Sequence, residues 1–191
     1  AASGSIELSR GLIHFDITDL IGLQTSGSID INHPSFKCYV NLKDVYGGQP
    51  TPANFNLVLS PLSRSFDEGF GKDIVYLSDL DSANFLTSSK ADGLWFVSGA
   101  GLGKALGYVG GSDFFTTGVI GNNTINFQLT QSFKTGFENL KLDVTPIVSA
   151  TIAGILPDNG YRLSFVDGEE SDGFTYFVKR FASRHAYDRT L

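Results

Sequence analysis

Alternation of apolar and polar residues with a period of two is the feature that most narrows what this chain can fold into. It recurs wherever the sequence is free of Gly and Pro. In Phe36-Lys37-Cys38-Tyr39-Val40-Asn41-Leu42-Lys43, the residues Phe36, Cys38, Val40 and Leu42 fall on one face, with Lys37, Asn41 and Lys43 on the other. That spacing predicts a half-buried antiparallel strand, because successive side chains of an extended chain point to opposite sides. The same rhythm groups Ile13, Phe15 and Ile17; Phe55, Leu57 and Leu59; Ile125, Phe127 and Leu129; and Tyr161, Leu163 and Phe165. A last run, Phe174 to Phe181, carries aromatics on both faces at Phe174, Tyr176, Phe177 and Phe181, which predicts cover on both sides or contact with a partner. Turn clusters such as Tyr46-Gly47-Gly48-Gln49-Pro50-Thr51-Pro52 and Pro157-Asp158-Asn159-Gly160 separate the strands, since Gly and Asn tolerate positive φ and Pro stops a ladder. The expected fold is all-β, an antiparallel β-sandwich of jelly-roll type.

One short helix is expected near 146–153. Thr145 is placed to cap it, Pro146 suits its first turn, Ile147, Val148 and Ile152 supply an apolar stripe, and Gly154 can close it. A second helical turn is expected around Ser78 to Phe85, capped by Ser78 or Asp79. The stretch from Ser63 to Asn123 is the least regular, with strand-like pieces at 74–77 and 94–97 set among long loops. Long loops carried on a rigid sheet are where recognition concentrates. We find no internal repeat and no charge run, which excludes solenoids and coiled coils.

Composition bounds the function. With 191 residues, 41% of them hydrophobic, the chain can bury one substantial core, and a single domain over 1–191 is expected. Only 18% of residues are charged, while 22 Gly and 16 Phe suit short strands, many turns and an aromatic interior. A net charge of -6 without any Lys/Arg cluster argues against a nucleic-acid partner, because phosphate binding requires grouped cations. The single Cys38 excludes a disulfide within the chain and reads as a small buried hydrophobe. No apolar run reaches the roughly 18 residues of a membrane span, so no membrane partner is expected. The chain has no Met and begins at Ala1, which suggests processing or a fragment of a longer protein.

The motifs that carry chemistry give little. Gly99-Ala100-Gly101-Leu102-Gly103-Lys104-Ala105 resembles a phosphate-cradling loop only superficially, because Ser98 and Ala105 occupy positions that would need Gly and Ser or Thr. A flexible or close-packed surface loop is expected there, and no cofactor. His14, His33 and His185 belong to no ligand spacing, and no Gly-x-Ser-x-Gly elbow is present. Asp167, Glu169, Glu170 and Asp172 sit in what reads as a hairpin loop, a solvated acidic tip that misses the calcium-loop pattern. Arg64, close to Asp67 and Glu68, is expected to hold its loop in one conformation through an ion pair. Among the loop aromatics, Tyr76, Trp95 and Tyr108 join Arg64 as candidate contacts for a protein partner or a glycan.

Two segments carry a family resemblance. Ser9-Arg10-Gly11-Leu12-Ile13-His14-Phe15-Asp16-Ile17 is similar to the opening motif of the jelly-roll modules called DNRLRE domains, which are related to carbohydrate-binding modules of bacterial surface and secreted proteins. Leu142-Asp143-Val144-Thr145-Pro146, then Gly160-Tyr161-Arg162-Leu163, then Phe181-Ala182-Ser183-Arg184 resemble that family's closing series in order and spacing. The family's first strand is reduced here to Ala1 to Leu8, and its Pro-x-Leu strand after the final Arg is missing, so the resemblance implies a shortened domain. The wording Pro61-Leu62-Ser63-Arg64-Ser65-Phe66-Asp67-Glu68-Gly69 looks like structural proteins of tailed-phage particles. Together these resemblances imply a structural or attachment module of a phage virion. Its partners would be other virion proteins or copies of itself. A carbohydrate-binding module of a secreted or cell-surface protein is the alternative, and a polysaccharide hydrolase or lyase using Asp79, Asp81 and His185 is a second.

Overall fold

The protein is described here by a computed structural model that covers residues 9–45, 53–69, 82–89, 93–101, 112–170 and 179–182. Its centre is a four-stranded antiparallel sheet in the order β1 (Gly11–Ile13), β10 (Tyr161–Phe165), β3 (Phe55–Pro61), β8 (Leu129–Phe133). Strands from the two ends of the chain therefore lie side by side, with Gly11 opposite Leu163 and Phe165 opposite Leu57. Three two-stranded ladders accompany it: β2 (Tyr39–Leu42) with β9 (Leu140–Asp143), β4 (Thr87–Ser89) with β5 (Gly93–Leu94), and β6 (Thr117–Ile120) with β7 (Asn123–Asn126). The all-β antiparallel expectation holds. The described residues on their own build one broad sheet, faced by β2–β9 and by α2 (Thr145–Ile152), rather than two full sheets.

Period two explains the inner face. Phe55, Leu57 and Leu59 of β3 and Tyr161 and Leu163 of β10 meet Val40, Leu140 and Leu142 from the β2–β9 ladder and Ile147, Val148 and Ala150 from α2 in one buried cluster. Phe55 stacks flat on Phe133, its partner on β8, with centroids 4.8 Å apart, and meets Phe165 edge-on at 5.6 Å. Each such side chain removed from water contributes roughly 1.5–3 kcal/mol, which is what offsets the entropy of ordering the strands. β3 is more than half-buried: Val58 and Ser60, on its reverse face, are buried as well, so this antiparallel sheet is covered on both sides at β3. Phe15, by contrast, is largely exposed, since β1 ends at Ile13 and the chain turns away before Ile17 returns to the interior.

The expected helix is α2, with Pro146 in its first turn and Gly154 at φ +73 closing it. Its start differs from expectation. Thr145 lies inside the helix; the Asp143 carboxylate accepts the Thr145 backbone N–H at 3.0 Å, and the Thr145 Oγ1 accepts the Cys38 N–H at 2.9 Å, tying helix to β2. A second helix, α1 (Thr18–Thr25), was not foreseen, yet it uses the same device. Asp16 accepts the Thr18 N–H at 2.9 Å, and Gly27 at φ +76 closes the far end. In both helices the two N–H groups after the C-cap donate back in the same pattern: Gly27 to Gln24 and Ser28 to Leu23, Gly154 to Thr151 and Ile155 to Ala150. Asp-Ile-Thr and Asp-Val-Thr thus each open an eight-residue helix stopped by glycine.

The described parts of the stretch 63–123 hold three short strands, β4, β5 and β6. β6 and β7 join through Gly121 and Asn122, and Gly121 at φ +62 supplies the positive φ that a two-residue hairpin loop requires. The strand-like piece at 94–97 shrinks to Gly93–Leu94, and residues 82–85 are not helical. The pieces at 74–77 and 78–81 and most of the run 174–181 lie outside the described residues.

Candidate interaction surface

The reverse face of the sheet is polar where the inner face is apolar, and α3 (Asp167–Glu170) closes over it. Arg162, opposite Ser60 on β3 and Leu12 on β1, projects from this face with Ser164. Immediately after β10 the chain turns back, with the Glu169 and Glu170 N–H groups donating to the Val166 carbonyl. This delivers Glu170 onto the sheet, where its carboxylate accepts Arg10 Nε at 2.9 Å and Arg10 Nη2 at 2.7 Å, a forked pair. Arg162 Nη2 donates to the same carboxylate at 3.5 Å. Side-chain exposures of 16%, 9% and 3% for Arg10, Glu170 and Arg162 mark a mostly dry site. Burial first, and then the Arg10 charge, pull the Arg162 guanidinium down to about 10, while Glu170 pulls it back up. Arg162 is therefore still a cation at neutral pH.

The neighbouring Glu169 accepts both the backbone N–H and the side-chain amide of Asn56 at 2.7 Å each. The expectation of a solvated acidic tip is thus corrected for Glu169 and Glu170: they latch a turn to the sheet because two buried arginines and an asparagine need acceptors. Asp172 lies outside the described residues.

Beside this network sits a satellite core of Leu62, Trp95, Ala100 and Phe114, with the Arg162 guanidinium 4.7 Å from the Phe114 ring centroid. Asp113 organises it. Its carboxylate is fully buried and accepts the Phe96 and Val97 N–H groups at 2.9 and 2.8 Å, while its own carbonyl accepts the Ser63 N–H. Gly99 at φ +76 lies so close to Arg10 and Phe85 that a Cβ there would stand 2.6 Å from each. Its carbonyl accepts Arg10 Nη1 at 2.5 Å, so the glycine-rich segment, as far as Gly101, is a packed loop as expected.

Trp95 is placed differently from a glycan platform. It is 5% exposed, and its indole N–H donates to the Asn84 carbonyl at 2.7 Å, so it is part of the interior. Arg64 fits the loop-holding role by another route: Nη1 donates to the Leu94 carbonyl at 2.9 Å, and its guanidinium lies 4.0 Å from the Phe96 ring centroid. Tyr76 and Tyr108, with Asp79, Asp81 and His185, lie outside the described residues. Facing solvent on this part of the chain are Phe96, one of the loop aromatics, and three residues the sequence did not single out, Phe85, Leu86 and Leu94. Leu94 is 67% exposed although it sits in β5 opposite Thr87.

A groove of ≈ 1170 Å³ runs along β1, lined among others by Arg10, Phe15, Asp16, Asp67, Phe66 and Phe165. His14 lies beside it, 3.4 Å from Asp158, and His33 Nδ1 pairs with the Ser35 hydroxyl at 2.6 Å. Among the described residues no group of three His, Cys, Asp or Glu side chains is placed to hold a metal ion, and no helix is long and apolar enough to cross a membrane. No family model matches the chain, and no curated protein or solved structure matches it.

Proposed function

We propose that this protein is a structural or attachment module of a phage virion, such as a decoration, tail, baseplate or fibre component, working through protein–protein contacts. The observation that carries this reading is the exposure of four apolar side chains on and beside β4 and β5: Phe85, Leu86, Leu94 and Phe96 face solvent, next to Trp95, Asp113 and Arg64, whose hydrogen bonds hold the backbone there. Side chains carried on a hydrogen-bonded backbone lose less entropy on docking than ones on a free loop, and each aliphatic side chain buried supplies roughly 1.5–3 kcal/mol. The test is a Leu86→Glu/Leu94→Glu variant compared with wild type by circular dichroism, light scattering and recovery in purified particles. The expected variant stays folded but no longer assembles or enters particles. A wild type that is monomeric at every concentration and never recovered with particles overturns the proposal.

One observation favours the carbohydrate-binding alternative, namely the groove along β1, where the exposed Phe15 ring neighbours Arg10, Asp16 and Asp67. Glycan titration of wild type and Phe15→Ala separates the two readings, since only a glycan module responds. Turnover of any polysaccharide in the same panel would replace both by a hydrolase or lyase.

A further inference from the structure

Lys179 and Asp44 meet where the chain just beyond β2 runs antiparallel to the segment 179–182. Asp44 bridges Phe181, the Val45 N–H donates to the Arg180 carbonyl, and the Ala182 N–H donates to the Lys43 carbonyl. Lys179, two residues before Phe181, is thus the diagonal neighbour of Asp44 on the same face. Its Nζ donates to Asp44 Oδ1 and, at 2.7 Å, to the Gly136 carbonyl. The Phe133 and Phe181 rings flank the amine, each centroid 5.3 Å away, and only 2% of the lysine side chain is exposed. The loop that supplies Gly136 also holds the other partner, because the Asp44 N–H donates to Asn139 Oδ1 at 2.8 Å.

A primary amine and a carboxyl group fixed against each other between aromatic rings are the two halves of an amide. We propose that Lys179 and Asp44 become joined by an intramolecular amide bond in the folded chain. Within the contact a proton passes from the ammonium nitrogen to the carboxylate oxygen it touches, giving an amine and a carboxylic acid. The freed nitrogen lone pair adds to the Asp44 carboxyl carbon and forms the C–N bond. The C–OH bond then breaks, and the hydroxyl leaves with one amine proton as a single water. No electron changes hands and no co-reactant is required. Fixed contact supplies the rate, since oriented groups react as though at a very high effective concentration. The bond would link the segment just beyond β2 to the segment 179–182, and it stands independently of the virion reading.

Intact-mass spectrometry of the folded full chain tests this. Wild type is expected one water lighter than its sequence, with a branched proteolytic peptide containing both Asp44 and Lys179; Lys179→Arg and Asp44→Ala are expected at their sequence masses. Should either variant fail to fold, the branched peptide in the wild type decides alone. A wild type at its sequence mass after prolonged folded incubation overturns the proposal. So does a water loss that maps instead to a cyclised Asp-Gly site such as Asp167-Gly168.

Discussion

Glu170→Gln isolates the reverse-face network, because it removes one negative charge while keeping the shape of the side chain. In the native protein that carboxylate accepts two Arg10 bonds at 2.9 and 2.7 Å and one from Arg162 at 3.5 Å. Without it two guanidiniums, at 16% and 3% exposure, lose the carboxylate they share, and only the weaker pull of Asp167 on Arg162 remains. Breaking a buried pair by removing one partner costs about 3–5 kcal/mol, and the partial opening of Arg10 to water favours the lower end. For a chain of this size that corresponds to a fall in Tm of roughly 6–20 °C. Urea unfolding followed by tryptophan fluorescence should show a lower midpoint at unchanged m, as expected for lost stability without a change in exposed surface. A second variant, Arg162→Met in the Glu170→Gln background, should recover part of the loss, since the stranded cation is removed with its partner. A solvated acidic tip would behave otherwise, so a Glu170→Gln change within about 0.5 kcal/mol of wild type refutes the latch.

Gly160→Ala should destabilise by about 2–4 kcal/mol in the same assay, because Gly160 sits at φ +80 and a Cβ would stand 2.5 Å from the Ile13 carbonyl oxygen. Ser60→Ala should leave stability unchanged or raise it by about 1 kcal/mol, since the Ser60 hydroxyl is buried without a partner opposite Arg162; a loss above about 1 kcal/mol would mean the hydroxyl is satisfied. Burial raises the Tyr161 phenol from 10.0 to about 12. The stabilisation from its folded-state proton is therefore complete below pH 10 and is lost as pH climbs to about 12, a change of about 3 kcal/mol. Arg162, lowered to about 10 from 12.5, releases its proton earlier in the folded state and acts in the opposite direction over the same range. The measurement is thus the difference between wild type and Tyr161→Phe, and equal alkaline slopes would refute it.

What the sequence made legible follows from the range of each signal. Alternation is local, so the faces of β2, β3 and β10 could be read directly, and Pro146 and Gly154 marked α2 from its own residues. The unforeseen α1 had a local mark too: Asp16-Ile17-Thr18 repeats the grammar of Asp143-Val144-Thr145, an Asp that takes the N–H two residues on. That mark is weaker than a hydrophobic period, because α1 buries no residue fully and so shows no apolar stripe. The reverse-face network had no local mark at all. Arg10 and Glu170 are 160 residues apart and meet only because β1 pairs with β10, and nothing in Asp167-Gly168-Glu169-Glu170 distinguishes a latch from a solvated turn. Arg162 carried the one usable hint, a long cation between Tyr161 and Leu163 in a strand whose register places it opposite Ser60 of a central strand. The sheet is covered on its reverse face here, with Ser60, Arg162 and Ser164 all buried, so a charge there needs a counter-charge delivered from elsewhere in the chain. The acidic turn directly following β10 is the nearest source. Trp95 is interior for a related reason: its indole N–H finds the Asn84 carbonyl inside, while the plainer Leu86 and Leu94 face solvent.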